Sequence, residues 1–161
     1  MPLYREAMRE DLPSICRLGE DVNALHHAAW PRIFAEAGDP MRHAAQWEQS
    51  IGAERSTAFV AEHEGQVIGF VTVFIAQDPN PLLQPTQYGR VGSIGVAPQY
   101  WAQGVGTGLM QLAEQWARQR GALDIRLHVW AFNERALRLY AELGYEVRSH
   151  VLGKQLQGAD A

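Results

Sequence analysis

Three glycines at alternate positions, Gly104, Gly106 and Gly108, form the part of the sequence best suited to bind an anion. They lie in the run WAQGVGTG at residues 101–108, next to a predicted helix. Glycine permits positive φ and close approach of a ligand to the backbone, and the first-turn amides of a helix are unpaired and partly positive. No charged residue occurs from Val91 to Ala113. A phosphate bound here would therefore be held by backbone amides and the helix dipole, without a basic side chain from the loop itself.

This loop does not follow the two most familiar phosphate-binding patterns. The dinucleotide fingerprint G-x-G-x-x-G would need a glycine where Leu109 stands, and a Walker A loop would end in Gly-Lys-Ser/Thr. A glycine turn in front of a helix also occurs as a plain tight connection. From these residues alone, phosphate binding and a purely structural role both remain open.

The composition limits the classes of protein to which the chain can belong. With 161 residues, 47% of them hydrophobic and 20% charged, the chain suits one core, and we expect residues 1–161 to form a single domain. The formal net charge of -4 disfavours nucleic-acid binding, which would need a local basic patch that the sequence lacks. No signal-peptide core and no apolar run near the ~18 residues of a membrane span is present, so we expect no membrane association.

The cysteine and histidine positions argue against a metal site. The single cysteine, Cys16, excludes an intramolecular disulfide and a cysteine-built metal centre, which fits a reducing compartment. The six histidines follow no metal-ligand spacing. We therefore expect a cytoplasmic protein without a bound metal.

The first third of the chain predicts one strand followed by helices. Leu3 to Ala7 is predicted to be a short strand, and Asp11 to be the N-cap of an amphipathic helix. A second helical stretch is predicted from His26 to Ala35. Asp39 is predicted to cap a third helix that starts at Pro40 and continues towards Ile51.

The remaining two thirds alternate between strands and helices. Two β-branched segments, Thr57–Glu62 and Val67–Ala76, predict an antiparallel hairpin. Beyond it we predict a proline-rich surface loop at 78–85, strands at 88–96 and 124–130, and a final extended region at 145–156. Helices are predicted at 108–120 and 133–144, the second of them capped by Asn133. This order predicts an α/β domain with a mixed, mostly antiparallel sheet flanked by helices.

Two segments together resemble a known superfamily. Residues 94–109, IGVAPQYWAQGVGTGL, resemble the R/Q-x-x-G-x-G/A acyl-CoA-binding motif of the GNAT superfamily of N-acetyltransferases. Residues 133–145, NERALRLYAELGY, resemble that superfamily's N-x-x-A-x-x-L-Y-x-x-x-G-F/Y helix. Two motifs in this order and spacing are more specific than either alone. The resemblance implies a GNAT-type fold and transfer of an acetyl group from acetyl-CoA to a primary amine.

The resemblance also implies roles for individual residues. The strand at Ile94–Val96 splays from its neighbour so that its backbone can pair with the pantetheine arm, and the following loop holds the pyrophosphate. Tyr140 would protonate the departing thiolate, although a core aromatic is the alternative interpretation of this residue. The expected cofactor contacts are Ile94, Gly95, Val96, Trp101, Ala102, Gln103, Gly104, Val105, Gly106, Thr107, Gly108, Asn133 and Ala136. Asn133 and Tyr140 are seven residues apart, and residues with this spacing lie within ~20° of the same helix face. Both side chains can therefore line one cleft.

Two positions depart from the superfamily pattern. Trp101 stands where the motif has Arg or Gln, so we expect weaker cofactor binding, or stacking of the indole on the cofactor or the substrate. Gly92 stands near the point of the strand where many relatives have an acidic residue, and no carboxylate is available locally.

An amine attacks a thioester only when neutral, so the site must accept its proton or lower its pKa by desolvation. His128 is the first candidate base, because histidine titrates close to neutral pH and this residue is predicted on a strand face with Trp130. A histidine hydrogen-bonded within the sheet is the alternative. His26 is the second candidate, on the helical region that forms the acceptor side in the superfamily.

We expect four residues of these two regions to contact the acceptor, namely His26, Trp30, Phe34 and Trp130. An aromatic stripe at helical spacing also suits a core. The expected partner is a small-molecule or peptide amine, and exposed strands or the five tryptophans would also allow a homodimer.

Two mechanisms and one different class of function are weighed. Cys16 could carry the acetyl group in a two-step reaction, but it lies on an apolar helix face where thiols are usually inert, so direct attack in a ternary complex is favoured. The alternative to an enzyme is a non-catalytic CoA-binding regulatory or structural module with the same fold.

Overall fold

The chain folds around one five-stranded sheet in the computed structural model, which describes residues 1–157. The strands, in sheet order, are β1 (Leu3–Glu6), β2 (Ser56–His63), β3 (Gln66–Gln77), β4 (Gln87–Val96) and β5 (Asp124–Arg126). The helices are α1 (Leu12–Ala29), α2 (Ala44–Ser50), α3 (Val105–Gln119) and α4 (Glu134–Glu142). Pairing is antiparallel from β1 to β4 and parallel between β4 and β5, which confirms the mixed, mostly antiparallel sheet.

Two hydrophobic clusters cover the two faces of the sheet. On one face α3 packs Leu109, Met110 and Ala113 against Val71 and Val73 of β3, and all five side chains are at most 1% exposed. Because side chains alternate along a strand, Phe70 points the other way and belongs to the cluster that contains residues of α1. Each fully buried side chain of this size stabilises the fold by about 1.5–3 kcal/mol.

Several glycines bring helices close to the sheet. A Cβ built at Gly89 on β4 would lie 2.7 Å from the Cβ of Ala117 on α3. A Cβ at Gly108 would overlap the Tyr4 ring of β1. These glycines are therefore required by packing, which accounts for part of the glycine-rich stretch without any ligand.

Helix boundaries differ from the predictions in three places. The helix predicted from Pro40 begins as an α-helix only at Ala44, after a 3-10 turn at Pro40–His43 whose Met41 amide donates to Asp39 at 3.0 Å. The predicted second helix at His26–Ala35 is wrong: α1 continues unbroken to Ala29, and the chain then turns. The glycine-motif helix begins at Val105 instead of Gly108, so two of the motif's glycines lie in the first turns of α3.

Asp11 also has a different partner from the predicted one. Its carboxylate forms no cap bond to α1 and accepts hydrogen bonds from Arg5 at 2.7 and 2.9 Å and from the Met8 amide at 2.8 Å. The Arg5 guanidinium holds the pKa of this buried carboxyl below its usual range. Asp11 therefore ties β1 to the start of α1 through an ion pair.

The last two predicted strands are shorter than expected. β5 ends at Arg126, so Leu127 to Trp130 lie beyond the sheet. The predicted final extended region forms no regular secondary structure between Tyr145 and Gln157. In the part of the chain that the structure describes, no helix is both long and apolar enough to cross a membrane.

Candidate functional site

The parallel pairing of β4 with β5 is short, and it leaves an open edge. The register pairs only Tyr88, Gly89 and Arg90 with Asp124–Arg126. Beyond Arg90, the β3–β4 ladder shifts register, so Gly92 is an extra residue between the pairs of Val91 and Ser93. Such a bulge bends a strand and increases its twist. We attribute the separation of the rest of β4 from β5 to this bulge.

The backbone polar groups of Ile94 and Val96 face the open edge. The Ala97 amide donates to the Ile68 carbonyl of β3 at 2.8 Å, so the preceding Val96 carbonyl points away from β3. Alternation along the antiparallel ladder gives Ile94 the same direction as Val96 and turns Gly95 towards β3. Ile94 therefore offers its N–H and C=O groups to a ligand and Val96 its N–H, because the Val96 carbonyl already accepts a hydrogen bond from the Trp101 indole. Gly95 faces β3 and offers neither group.

The turn after β4 delivers unpaired amides to the same end of the sheet. Ala102 and Gly104 have positive φ values of 60° and 85°, which lead the chain into α3 at Val105. Gly108 is the first amide of this turn that donates to a helical partner, the Gly104 carbonyl at 3.0 Å. The amides of Val105, Gly106 and Thr107 precede it and are free of intrahelical partners. Gln103 contributes a side chain that bonds the Gln99 carbonyl at 3.0 Å.

Gly106 and Gly108 have a role that the sequence did not indicate. A Cβ at Gly106 would lie 3.1 Å from Leu139 of α4, and one at Gly108 would meet Tyr4. Their missing side chains make room for neighbouring side chains. Of the three alternate glycines, only Gly104 is required by a left-handed backbone.

Trp101 closes the end of the open edge. Its indole Nε1–H donates to the Val96 carbonyl at 2.7 Å, and the ring is half-buried. The guanidinium carbon of Arg135, in the first turn of α4, lies 3.1 Å from the centroid of the Trp101 ring. Arg135 was not among the predicted cofactor contacts. A basic residue two positions after the Asn that begins the second motif was the available signal.

Asn133 performs the capping role expected from the sequence. Its side-chain oxygen accepts a hydrogen bond from the Ala136 amide at 3.2 Å and so begins α4. Asn133 and Ala136, both predicted cofactor contacts, are thus bonded to each other. The side-chain NH₂ group of Asn133 is a second polar group that a ligand can use.

Tyr140 is buried and holds its proton strongly. Its side chain is part of the α3 cluster and the residue is 7% exposed. Burial raises the pKa of Tyr140 to about 12. The neighbouring Tyr145 ring lies 5.9 Å away between centroids, and its hydroxyl donates to Glu114 at 2.9 Å. The phenol of Tyr140 therefore stays protonated throughout the physiological pH range and can donate a hydrogen bond.

The two candidate bases differ in the nitrogen that they leave available. His26 Nδ1 lies 2.7 Å from the Val22 carbonyl, which can only accept, so Nδ1 carries the proton and Nε2 has a free lone pair. His128 is exposed and its Nδ1 contacts Arg90 Nη2, which can only donate. In His128 the lone pair is therefore used, and the proton sits on Nε2.

The four predicted acceptor contacts come together in one aromatic cluster. Trp30 and Phe34 approach Trp130 edge-on, with ring centroids 5.8 and 4.7 Å apart, and His26 lies 4.9 Å from Phe34. Phe132 is a fifth member, 5.2 Å from both His26 and Trp30. It was missed because residues 124–130 were predicted to be a strand and no role was assigned to the residues between that strand and Asn133. The cluster adjoins Asn133 and therefore the start of α4.

Two further features bear on ligand binding. A surface depression of about 430 Å³ lies between α2 and β3, and none of the predicted site residues lines it. Within residues 1–157, no three His, Cys, Asp or Glu side chains are grouped in a way that could hold a metal ion.

Solved structures with the same fold include an enzyme bound to CoA. A variant of the protein BH1408 from Bacillus halodurans superposes with a TM-score of 0.89 at 22% identity, covering 96% of this chain and 99% of that one. The aminoglycoside N-acetyltransferase AAC(6')-Iy in complex with CoA gives a TM-score of 0.71 at 20% identity, covering 98% and 96%. At these identities the likeness establishes the fold.

The sequence relatives are acetyltransferases of greater length. Mycothiol acetyltransferase of Frankia alni is 32% identical over 106 residues, which are 64% of this chain and 32% of that protein. The uncharacterized N-acetyltransferase YdgE of Bacillus subtilis is 29% identical over 97 residues, 60% of this chain and 59% of the relative. The matched region thus spans less than two thirds of either relative. The family match itself runs from residue 20 to residue 145 and contains the open edge, the glycine turn and α4, so the chain belongs to the Acetyltransferase (GNAT) family.

Proposed function

We propose that the protein is a cytoplasmic N-acetyltransferase that moves an acetyl group from acetyl-CoA to a primary amine by direct attack in a ternary complex. The observation that carries this proposal is the open edge of β4, which ends at the amide-lined turn of α3. An extended arm with amide groups fits the open edge of β4, and a pyrophosphate fits the amide-lined turn before α3. Pantetheine pyrophosphate combines both features in one molecule.

The pantetheine arm binds in the manner of an added strand. Its amides pair with the backbone N–H and C=O of Ile94 and with the N–H of Val96, as peptides do when they extend a sheet edge. The amides of this edge also polarise the acetyl carbonyl and stabilise the negative charge that develops on its oxygen. Because the edge is backbone, this recognition needs no charged side chain.

Tyr140 stabilises the departing thiolate. Asn133 and Tyr140 are seven residues apart on α4, so they line one face about 10 Å apart along the helix. With its pKa raised to about 12, the phenol remains protonated while the thiolate forms. An ordinary thiol has a pKa near 8.5, so complete proton transfer from the phenol is uphill and a short hydrogen bond is the main contribution.

His26 is the better placed of the two candidate bases. Its free Nε2 can accept a proton from the attacking amine, either directly or through water. His128 could do so only after its Nδ1 had separated from Arg90. We therefore assign His26 the role of base and His128 a position beside the site.

The aromatic cluster is the acceptor side of the proposed site. Trp130 is 41% exposed and therefore presents ring surface to solvent. Aromatic faces attract ammonium groups, which favours an amine acceptor that arrives charged and is then desolvated. A small-molecule or peptide amine meets this description.

The burial of Cys16 supports direct transfer of the acetyl group to the amine. Cys16 is 0% exposed, and burial raises the pKa of its thiol. A buried, protonated thiol is a poor nucleophile. A covalent acetyl-cysteine step is therefore not included in the mechanism.

We also propose that the protein forms a homodimer through residues 145–157. Four apolar side chains of this extended segment are strongly exposed: Val147 by 69%, Val151 by 87%, Leu152 by 91% and Leu156 by 89%. β5 is the last strand of the sheet, so it has a free edge on the side away from β4. In a two-fold dimer, the segment of each copy can pair with that edge of the other and bury its apolar side chains.

The proposed reaction predicts release of free CoA thiol when acetyl-CoA and a suitable amine are both present. The assay uses a panel of polyamines, aminoglycosides, amino acids and peptides, with acetyl-CoA alone as the blank. Acetylation of at least one amine, verified by mass spectrometry, supports an enzyme. Tight acetyl-CoA binding without turnover on any amine would favour the non-catalytic CoA-binding module.

Tyr140→Phe should lower kcat by about 10²-fold while the acetyl-CoA Kd stays within about threefold. Because the phenol keeps its proton up to about pH 12, the loss should be equal from about pH 6 to pH 10. Tyr145→Phe removes a neighbouring hydroxyl and serves as the matched control, with kcat close to wild type. Unchanged kcat in Tyr140→Phe would remove this residue from the chemistry.

His26→Gln should lower kcat/KM by about 10²-fold, and His128→Gln should lower it by less than about threefold. The reason is that only His26 has a free lone pair on Nε2. His150→Gln, in the exposed segment after α4, controls for loss of a histidine as such. The reverse order of effects for His26 and His128 would assign the base to His128.

The proposed dimer should be seen by sedimentation equilibrium in the micromolar range. Changing Val151 and Leu152 together to Asp should give a monomer, because both side chains would otherwise be buried between copies. Ser149→Asp adds charge to the same segment without removing an apolar contact and should remain dimeric. A wild-type protein that sediments as a monomer contradicts the proposal.

A further inference from the structure

Arg135 is a cation held at the end of the cofactor turn by an aromatic ring. Its guanidinium lies over the Trp101 indole, and no hydrogen bond or ion pair joins it to any acidic side chain among the described residues. The residue is exposed at the surface of α4, and its guanidinium stacks on a ring that belongs to the turn before α3. No acidic side chain of the described residues pairs with this cation, and the adjacent turn offers only neutral amides. An anion bound at the turn would therefore find an available positive charge.

Trp101 is fixed in place and can therefore position this cation. Its Nε1–H bond to the Val96 carbonyl sets the orientation of the indole relative to the end of β4. The Asn133 cap fixes the start of α4, two residues before Arg135. The guanidinium is thus placed by two anchored elements.

Stacking leaves the hydrogen-bonding edge of the guanidinium available. A guanidinium on an aromatic ring uses its flat face, while its five N–H groups point outward in the plane. This planar fork matches two oxygens of a phosphate group. A stacked arginine is therefore a better prepared phosphate ligand than a freely mobile one.

We propose that Arg135, positioned by Trp101, binds the pyrophosphate of acetyl-CoA from α4 and supplies the charge that the turn itself lacks. The inference rests on the proposed function, since it concerns the same cofactor. Trp101 was expected to weaken cofactor binding or to stack on the cofactor or the substrate. The indole is instead the support for a cation contributed by another helix.

Calorimetric Kd values for acetyl-CoA test the proposal. Arg135→Gln should raise the Kd by about 10-fold or more, because a charge-assisted pair of hydrogen bonds is lost. Arg138→Gln, three residues further on the exposed part of α4, is the matched control and should stay within about twofold. Thermal unfolding of each variant verifies that it is folded.

The choice of ligand identifies the phosphate group that is contacted. The loss in Arg135→Gln should persist with dephospho-CoA, which lacks the 3′-phosphate, and vanish with S-acetylpantetheine, which has no phosphate. Loss of the effect with dephospho-CoA would assign Arg135 to the 3′-phosphate and overturn the pyrophosphate assignment. An equal effect with S-acetylpantetheine would overturn phosphate binding altogether.

Coupling between the two side chains tests the positioning role of Trp101. Trp101→Ala should weaken acetyl-CoA binding in the wild-type background and have much less effect when Arg135 is already Gln. Additive effects would mean that Trp101 does not act through Arg135. If wild-type protein binds no acetyl-CoA, the proposed function fails; if it binds and Arg135→Gln is unchanged, only the present inference fails.

Discussion

The parallel contact between β4 and β5 stops after three residue pairs, and the proposed chemistry depends on that stop. A longer contact would use the backbone groups of Ile94 and Val96 within the sheet. We attribute the stop to the bulge at Gly92, which inserts one residue in β4, because a bulge bends a strand and increases its twist. Gly92 suits this position, since a Cβ there would lie 2.9 Å from the Thr72 hydroxyl. The residue that departs from the acidic pattern of many relatives therefore shapes the edge on which the cofactor is proposed to bind.

The uncharged, glycine-rich stretch serves packing as much as binding. Gly89 allows α3 to approach the sheet, and Gly108 receives the ring of Tyr4. Gly106 does the same for Leu139 and so brings α4 against the first turn of α3. The amides of that turn are consequently held in a rigid frame, which lowers the cost of ordering them around a ligand.

Much of the fold was accessible from sequence because hydrophobic period and turn residues are local signals. The hairpin of β2 and β3, α3 and the Asn133 cap followed from such signals. The end of α1 was also encoded locally but was overlooked, because Trp30 is followed by Pro31 and a helix usually ends at or before the residue that precedes a proline. The strand after α3 was extended too far, since Ile125, Leu127 and Val129 alternate correctly although the sheet neighbour has already separated at Arg90.

The site could be predicted only as far as its motifs reached. The two motifs located the edge, the turn and Tyr140. Trp30 and Phe34 were expected near each other on a helix, and a single turn closed by the Phe34 amide and the Trp30 carbonyl at 3.1 Å holds them together instead. The motifs did not predict contacts between distant segments. These contacts are the edge-on approach of the Phe132 and His26 rings, the contact of Arg90 with Nδ1 of His128, and the stacking of Arg135 on Trp101. Each depends on how two elements meet in space, and sequence position does not encode this.

One helix connects the two ends of the proposed cofactor site. α4 carries Arg135 in its first turn and Tyr140 five residues later, about 7.5 Å along the axis. Leu139, packed at Gly106, fixes this helix against the turn of α3. A shift of α4 would therefore move the cation near the turn and the phenol near the proposed thiolate together. The proposed phosphate-binding cation and the proposed hydrogen-bond donor to the thiolate are thus carried by the same helix. In this proposal, binding of the phosphate end and alignment of the reacting end are mechanically linked.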